Sequence, residues 1–345
     1  MRIETKAIAT KVGETECVTL ENDQGMIVEL NSFGAAIRRI AVPDEKGDPV
    51  DMLVAPESTD DFLASELYYG KTIGRASGRL FAPSYEIDGR SFPVTPDEGT
   101  DTKLHGGPKG FSFQKFKITD REQERDSVSV TFSYLSPDRE EGFPGNLHVR
   151  ITYRLDQKNR LSIGIEGVSD LDTILNVTNH AYFNLSPQKE TIHDHVLTLR
   201  SSKYLDVDAD YHLKGIADVA NTPFDFRTAK PLREAIEALR VSPFKGLDNA
   251  FLVDSTDWVA RLEHPKSGYE LKLYTTYPSV VVFSHNKHST VPLNSAAKDG
   301  YHSGITLECQ YEPSGVHEPE LNSAILRKNE RYRHEIVYAF ARNKS

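Results

Sequence analysis

The sequence has little cysteine, no surplus of basic residues and no long apolar stretch, and each shortage excludes a class of protein. Its two cysteines, Cys17 and Cys309, form no CxxC pair, so neither a zinc ribbon nor a redox dithiol is supported, and we expect unpaired thiols. The 51 acidic residues outnumber the 41 basic ones and give a formal charge of −10. Because no run of lysine or arginine stands out, we expect no binding to nucleic acid or to an anionic membrane surface.

No segment approaches the ~20 apolar residues that a membrane-spanning helix requires, so we expect no membrane partner. The first sixteen residues lack the apolar core of a secretory signal, which favours a cytoplasmic location. The chain also has no Gly/Ser linker, composition break or low-complexity tract. We therefore expect one domain over residues 1–345, in a monomer or a homodimer.

Alternation of apolar and polar residues predicts strands along much of the chain. The alternating segments are 128–134, 147–155, 161–165 and 271–273, and residues 280–283 form a more continuously apolar run. Only residues 231–239 are typical of a helix, with Pro231 at its start, where the missing N–H costs little. Because strands do not alternate with long helices, a doubly wound α/β fold is disfavoured. The pattern predicts an all-β protein, a large antiparallel β-sandwich with few short helices.

The segment 176–185 reads Asn-Val-Thr-Asn-His-Ala-Tyr-Phe-Asn-Leu, with His180 among three asparagines and a threonine. Tyr182 and Phe183 add aromatic walls, so the segment suits a pocket for a polar ligand with an apolar face, such as a sugar. An imidazole titrates near neutrality and can give or take a proton. The alternative is that His180 is structural or merely exposed.

Glu308 stands between Leu307 and Cys309, an apolar setting for a carboxylate. It either faces outward by strand alternation or faces inward, where it needs a partner or a chemical role. With an ordinary glutamate pKa of ~4.3 it would be ionised at neutral pH and could act as a general base.

Three other segments carry candidate ligand-binding side chains. His105 precedes two glycines that allow a tight turn, Arg79 ends a segment of small residues, and Asp248 stands beside Asn249. Arginine suits contacts to vicinal hydroxyls. On spacing alone, the segment of His105 also fits an ordinary glycine turn, Arg79 fits a surface charge, and Asp248 fits an Asx turn.

Two histidine pairs resemble metal ligands by residue type, namely His193 with His195 and His285 with His288. No carboxylate is spaced to complete either pair, so we expect no catalytic metal.

Taken in order, eight segments resemble those of the aldose 1-epimerase (mutarotase) family, and the similarity covers nearly the whole chain. They are 31–44, 74–80, 104–111, 141–147, 176–185, 222–227, 246–251 and 303–310. The resemblance implies a very large β-sandwich of the supersandwich type, as in galactose mutarotase, with a sugar in a cleft across one sheet and no cofactor. It also implies an isomerase that interconverts the α and β anomers of a free aldose such as galactose or glucose.

By motif position, the resemblance makes Glu308 the general base and His180 the general acid. For that role His180 must keep or share a proton, which a nearby carboxylate would favour. The residues that would hold sugar hydroxyls are Arg79, His105 and Asp248, and Tyr182 would line the site.

The sequence departs from the family pattern at five positions, which are Gly78, Ser112, Phe116, Asn249 and Val281. None is the implied acid or base, so the departures bear on the sugar and not on the reaction type. A monosaccharide is the expected substrate, and the reducing end of a disaccharide such as maltose is an alternative. Two further readings are a carbohydrate-binding protein without catalysis and a glycoside hydrolase that uses Asp248 and Glu308.

Overall fold

Strands are the main regular structure of the chain, which the computed structural model describes over residues 1–297 and 299–343. The prediction of an all-β protein with few short helices is confirmed. Neighbouring strands of the three large sheets pair antiparallel throughout.

The largest sheet, called the nine-stranded sheet, contains the segments with the clearest alternation. Its strands, in spatial order, are Lys117–Gln123, Ser127–Ser136, Leu147–Asp156, Arg160–Ser169, Tyr332–Arg342, Tyr269–Thr275, Ala260–His264, Val196–Leu199 and Lys230–Pro231. The strand Leu147–Asp156 alternates in burial residue by residue, as its sequence pattern predicts, because one face packs on the core.

The amino-terminal sheet packs on the nine-stranded sheet. Its strands are Arg2–Thr10, Gly13–Glu21, Ile27–Asn31, Ala36–Pro43 and Pro49–Asp51. Val28 and Leu30 from this sheet share a hydrophobic cluster with Phe132 and Ile151 of the other, and all four are fully buried. The Tyr153 hydroxyl donates a hydrogen bond across this interface to the Ala35 carbonyl, at 2.6 Å.

A third sheet, called the site sheet, has five strands that come from distant parts of the chain. In spatial order they are Leu213–Asp218, Lys203–Val207, Asp248–Leu252, Ser279–Phe283 and Thr306–Gln310. Four two-stranded ladders surround the large sheets, pairing Thr72–Ile73 with Thr178–Asn179, Arg79–Phe81 with Thr102–Leu104, Ser84–Ile87 with Arg90–Pro93, and Thr173–Ile174 with Ile325–Leu326.

Two short α-helices occur within the described residues, Thr59–Ala64 and Leu232–Ala238. The second matches the predicted helix, with Pro231 at its N-cap. The first was not expected from the sequence, although Ser58 caps it by accepting a hydrogen bond from the Asp61 N–H. Short 3₁₀ turns occupy Phe111–Phe113, Glu140–Gly142 and Ile192–Asp194.

Both cysteines are free, with Cys309 buried and Cys17 partly buried. Across the part of the chain that is described, no helix has both the length and the apolar character needed to cross a membrane.

We predict that Ile151→Ala lowers the free energy of unfolding by about 2–5 kcal/mol, because it leaves a cavity between two packed sheets. Chemical denaturation measures the change. Leu135→Ala is the matched control, since Leu135 is 60% exposed, and it should change the free energy by less than about 0.5 kcal/mol. Equal losses in the two variants would contradict the two-layer packing.

Candidate active site

A cleft lies over one face of the site sheet and contains about 1010 Å³ of space, part of it open to solvent at the mouth. Apolar and aromatic walls with a few polar groups between them are typical of a site for a small organic ligand. The cleft brings together all six residues expected from the sequence, namely Arg79, His105, His180, Tyr182, Asp248 and Glu308.

Glu308 and His180 reach the cleft from two different elements. Glu308 lies on the strand Thr306–Gln310, directly opposite Val281 on the neighbouring strand. His180 follows the short strand Thr178–Asn179, and its backbone is held in place by Gly70 and Lys71 through hydrogen bonds of 2.9 and 3.0 Å. The two side chains meet in a buried position, with Nε2 of His180 at 3.4 Å from Oε1 of Glu308. Glu308 is therefore inward-facing.

Burial sets the protonation of this pair. Loss of solvation raises the pKa of Glu308 to about 8. A hydrogen bond of 3.0 Å from the Thr306 hydroxyl has the opposite, smaller effect, because it favours the carboxylate. Loss of solvation also lowers the pKa of His180 to about 3. Burial therefore acts against the ionised form of Glu308 that the sequence led us to expect at neutral pH. The pair holds one exchangeable proton, and burial favours its position on the carboxyl group.

His180 faces the cleft through Nε2 alone. Its Nδ1 atom is buried and finds no hydrogen-bond partner among the residues the structure describes. The ring lies 5.0 Å from that of Tyr182 and 5.3 Å from that of His105, measured between centroids. Any proton that His180 exchanges with Glu308 or with a ligand therefore passes through Nε2.

The turn that carries His105 depends on glycine. His105, Gly106 and Gly107 all have positive φ angles, of 52°, 83° and 89°. A Cβ atom on Gly106 would lie 2.1 Å from the Gly74 carbonyl oxygen, so a larger residue does not fit there. The close approach of the two backbones brings the imidazole to the edge of the cleft.

His105 presents a hydrogen-bond donor to the cleft. The backbone N–H of Gly78 donates to Nδ1 of His105 at 3.3 Å, so a neutral ring carries its proton on Nε2. Burial and the neighbouring His180 lower the pKa of His105 well below the usual histidine value, so the ring is neutral at pH 7. A ligand oxygen can thus accept a hydrogen bond from Nε2–H.

Arg79 and Asp248 are joined by Tyr211, a residue that no sequence motif identified. The Tyr211 hydroxyl donates to Oδ2 of Asp248 at 2.7 Å, and the Arg79 guanidinium carbon stacks 3.3 Å above the centre of its ring. The other arginine of the segment, Arg75, is fully buried and donates to the carbonyls of a neighbouring loop, among them that of Pro144 at 2.9 Å. Of the two arginines, only Arg79 lines the cleft.

Gln310 is a second cleft residue that sequence reasoning missed. It lies two positions beyond Glu308 on the same strand, and so on the same face of the sheet. Neither its Oε1 nor its Nε2 atom has a hydrogen-bond partner among the described residues, although the side chain is fully buried. Strand alternation from Glu308 could have identified it.

Three ligand atoms from His105, His180 and Glu308 lie within 4.8 Å of one another, which is close enough for a metal ion. A metal-binding histidine normally donates its second N–H to an acceptor. His105 instead accepts from Gly78 on that second nitrogen, which leaves its cleft-facing nitrogen protonated. The donor set therefore does not fit a metal ion. The histidine pairs noted in the sequence have structural contacts, such as Nε2 of His195 accepting from the Leu185 N–H at 2.8 Å.

A second, more open groove adjoins the cleft. Its walls are formed by residues 95–104, 139–142 and 209–211, and it shares Tyr68, Arg79 and Tyr211 with the first. The two grooves thus form one continuous depression that could hold more than a single ring.

We predict that Glu308→Gln stabilises the protein at alkaline pH. The folded-state pKa of Glu308 lies above its unfolded value, so the stability of the wild type is lost as pH rises through the folded value. Glutamine has no charge to bury. In thermal unfolding at pH 9 the variant should exceed the wild-type Tm by about 2 °C or more, with a smaller difference at pH 5.

The matched control for this experiment is Glu86→Gln, because Glu86 is an exposed carboxylate that does not line the cleft. Its Tm should follow that of the wild type at both pH values. A Tm of the Glu308 variant that falls with pH as steeply as that of the wild type would show that Glu308 is not a buried acid.

Comparison with known proteins agrees with the resemblance seen in the motifs. Residues 16–339 match the family model described as aldose 1-epimerase. The aldose 1-epimerase of Escherichia coli K12 is 31% identical over 345 aligned residues, which cover 98% of each chain. The galactose mutarotase of Bos taurus is 32% identical over 335 residues, or 95% of each chain.

Solved structures give the same result for the fold. The galactose 1-epimerase of Lactobacillus acidophilus superposes with a TM-score of 0.86 at 27% identity, covering 99% of this chain and 100% of that one. An aldose epimerase homologue from C. elegans gives a TM-score of 0.84 at 27% identity over the same shares. The fold is thus the galactose mutarotase-like sandwich, and the chain belongs to the aldose 1-epimerase family of isomerases that act on carbohydrates.

Proposed function

We propose that the protein interconverts the α and β anomers of a free aldose, such as galactose or glucose, by opening and closing the sugar ring. Glu308 acts as the general base and His180 as the general acid. The observation that carries the proposal is the 3.4 Å separation of Nε2 of His180 and Oε1 of Glu308 at the buried floor of the cleft.

The reaction needs one base and one acid near the anomeric carbon. Glu308 removes the proton from the hydroxyl on C1, while His180 protonates the ring oxygen, and the C1–O bond of the ring breaks to give an aldehyde. Rotation about C1–C2 presents the other face of the carbonyl, and closure reverses both proton transfers. Each positioned transfer typically contributes about 10²–10⁴-fold.

The single proton of the pair accounts for both halves of the reaction. In the site without ligand, burial favours the position of that proton on Glu308. Hydrogen bonds from sugar hydroxyls favour the carboxylate, and the proton then moves to His180 over the 3.4 Å between them. After ring opening Glu308 again holds a proton and His180 is neutral. The open-chain intermediate therefore lies in the protonation state that burial favours.

Other cleft residues have the chemistry to hold the sugar. His105 offers an N–H donor, Arg79 offers guanidinium donors, and Asp248 offers an acceptor that Tyr211 orients. The unpartnered amide of Gln310 can both donate and accept. Tyr182 lines the wall beside His180.

The adjoining groove favours a second candidate substrate, the reducing end of a disaccharide such as maltose. Tyr68, Arg79 and Tyr211 line both grooves, so a second ring that extends from the cleft into the groove would contact them. A kcat/KM for maltose above that for glucose, read by polarimetry, would support this substrate.

We further propose one domain, since the main hydrophobic cluster collects side chains from Val18 to Phe340. A cytoplasmic monomer or homodimer remains our proposal for the form and location of the protein.

We predict that Glu308→Gln and His180→Asn each lower the rate of mutarotation of fresh α-galactose by about 10²-fold or more. Glutamine cannot accept the proton of the C1 hydroxyl, and asparagine cannot protonate the ring oxygen. Polarimetry measures the rates, and circular dichroism checks the fold. The wild-type kcat/KM should fall at both ends of the pH range, because the active pair holds one proton.

The exposed Glu86→Gln variant should keep the wild-type rate. Near-normal mutarotation by the Glu308 variant, or an unchanged pH profile in the His180 variant, would overturn the assignment. Sugar binding without mutarotation by the wild type would favour a binding protein. Release of an aryl group from an aryl glycoside would favour a hydrolase.

We predict that Tyr211→Phe raises KM about tenfold and changes kcat by less than about threefold. The variant keeps the ring beneath Arg79 but removes the hydroxyl that orients Asp248. Because Asp248 holds the sugar and does not transfer a proton in the proposed reaction, the loss should weaken binding more than it slows the chemical step. Tyr274→Phe, on the nine-stranded sheet, is the matched control. A change confined to kcat would show that Tyr211 acts on the chemical step.

A further inference from the structure

An ion pair that takes no part in the proposed reaction lies beside the turn that carries His105. The Lys103 ammonium group is 2.5 Å from Oε2 of Glu141, and the two side chains are only 4% and 10% exposed. His105 lines the cleft, whereas Lys103 and Glu141 line the adjoining groove. Because a buried ion pair is often no more stabilising than apolar side chains of the same size, stability is a weak explanation for its presence.

Glu141 contacts the turn at both ends. Its Oε2 atom accepts from the ammonium group of Lys103, two residues before His105, and its Oε1 atom accepts a hydrogen bond of 2.7 Å from the Lys109 N–H, four residues after it. Between these ends, Gly107 lies against the carboxylate, since a Cβ atom there would be 2.4 Å from Oε2. The carboxylate of Glu141 therefore joins the two ends of the segment 103–109.

The segment 74–78 holds the same turn through other contacts. The His105 N–H donates to the Gly78 carbonyl at 2.9 Å, and the Gly78 N–H donates to Nδ1 of the ring. The turn thus lies between this segment and Glu141. Three consecutive residues with positive φ angles, His105 among them, are costly to hold, so the turn needs support from its surroundings.

We propose that Glu141 is a positioning residue, which holds the turn so that Nε2–H of His105 is presented to a sugar oxygen in the cleft. Lys103 compensates the charge of the buried carboxylate. The inference rests on the sugar-binding role proposed for His105. A binding side chain must be held within about 0.5 Å of its productive position, so a looser turn weakens the hydrogen bond to the sugar. Because His105 transfers no proton in the proposed reaction, the loss falls on KM and not on kcat.

The test measures mutarotation of fresh α-D-galactose by polarimetry in two variants of Glu141. Glu141→Ala removes both contacts and should raise KM about fivefold or more, the value of one hydrogen bond, with a change in kcat of less than about threefold. Glu141→Gln is milder, because it keeps an acceptor for the Lys109 N–H but loses the charge opposite Lys103, and its KM should rise about threefold. An unchanged KM in either folded variant, or a loss confined to kcat, would overturn the proposal.

Combination with His105→Ala shows whether Glu141 acts through His105. His105→Ala should itself raise KM, and the addition of Glu141→Ala should then change KM by less than about twofold, because no ring is left to position. Effects that multiply would overturn the proposal, since Glu141 would then act on the sugar directly or on the fold as a whole. An unchanged KM in His105→Ala would overturn it as well.

The matched control is Glu270→Ala on the nine-stranded sheet. The side chain of Glu270 is also 10% exposed and is paired with Lys272 at 3.2 Å. This variant loses a comparable ion pair away from the turn and should keep the wild-type KM. A rise in KM equal to that of Glu141→Ala would show a general effect of losing a buried carboxylate and would refute the positioning role.

Titration calorimetry with D-galactose separates this inference from the proposed function. Binding without mutarotation by the wild type, with a Kd that rises in Glu141→Ala, would refute the catalytic proposal and keep the positioning role. Mutarotation with the same Kd in the wild type and in Glu141→Ala would keep the catalytic proposal and refute the positioning role. A wild type that neither binds nor mutarotates D-galactose or D-glucose would refute both.

Discussion

The burial of one proton between two ionisable groups is the constraint that the rest of the site has to meet. His180 and Glu308 are both removed from water, where each prefers its neutral form, so the site without ligand avoids a buried charge pair. Proton exchange nevertheless requires the groups to stay within a few tenths of an ångström of the observed 3.4 Å. Such precision needs rigid support for both side chains. The site sheet supports Glu308, and the ladder of Thr72–Ile73 with Thr178–Asn179 supports His180.

Buried cations outside the pair fix the loops that surround the cleft. The Lys71 ammonium group is fully buried and donates to the carbonyls of Leu63 and Ser65, which anchors the segment that leads to Tyr68. Arg75 does the same for the loop around Pro144. Each side chain donates hydrogen bonds to backbone carbonyls that have no partner in a strand. The irregular segments around the cleft are thereby held in one conformation, as a ligand site requires.

Much of the fold and of the site could be predicted from the sequence, because both depend on local patterns. Alternation marks the strands of the nine-stranded sheet, and Pro231 marks the helix that follows it. The motifs identify six residues that share one cleft. Tyr211 could not be found, because its contact with Asp248 joins two segments with no common motif. The position of the shared proton was also beyond the sequence, since it depends on burial and not on residue type.

The groups that line the cleft come from two different parts of the fold. Glu308 belongs to the site sheet, whose register is fixed by backbone hydrogen bonds, so a changed side chain at the opposite residue Val281 leaves Glu308 in place. Asp248 and Gln310 also lie on this sheet, whereas Arg79 and His105 come from a short ladder and a glycine turn, where they depend on the neighbouring Tyr211 and Gly106. A substitution in the ladder or the turn can therefore alter the polar contacts of the cleft without moving Glu308.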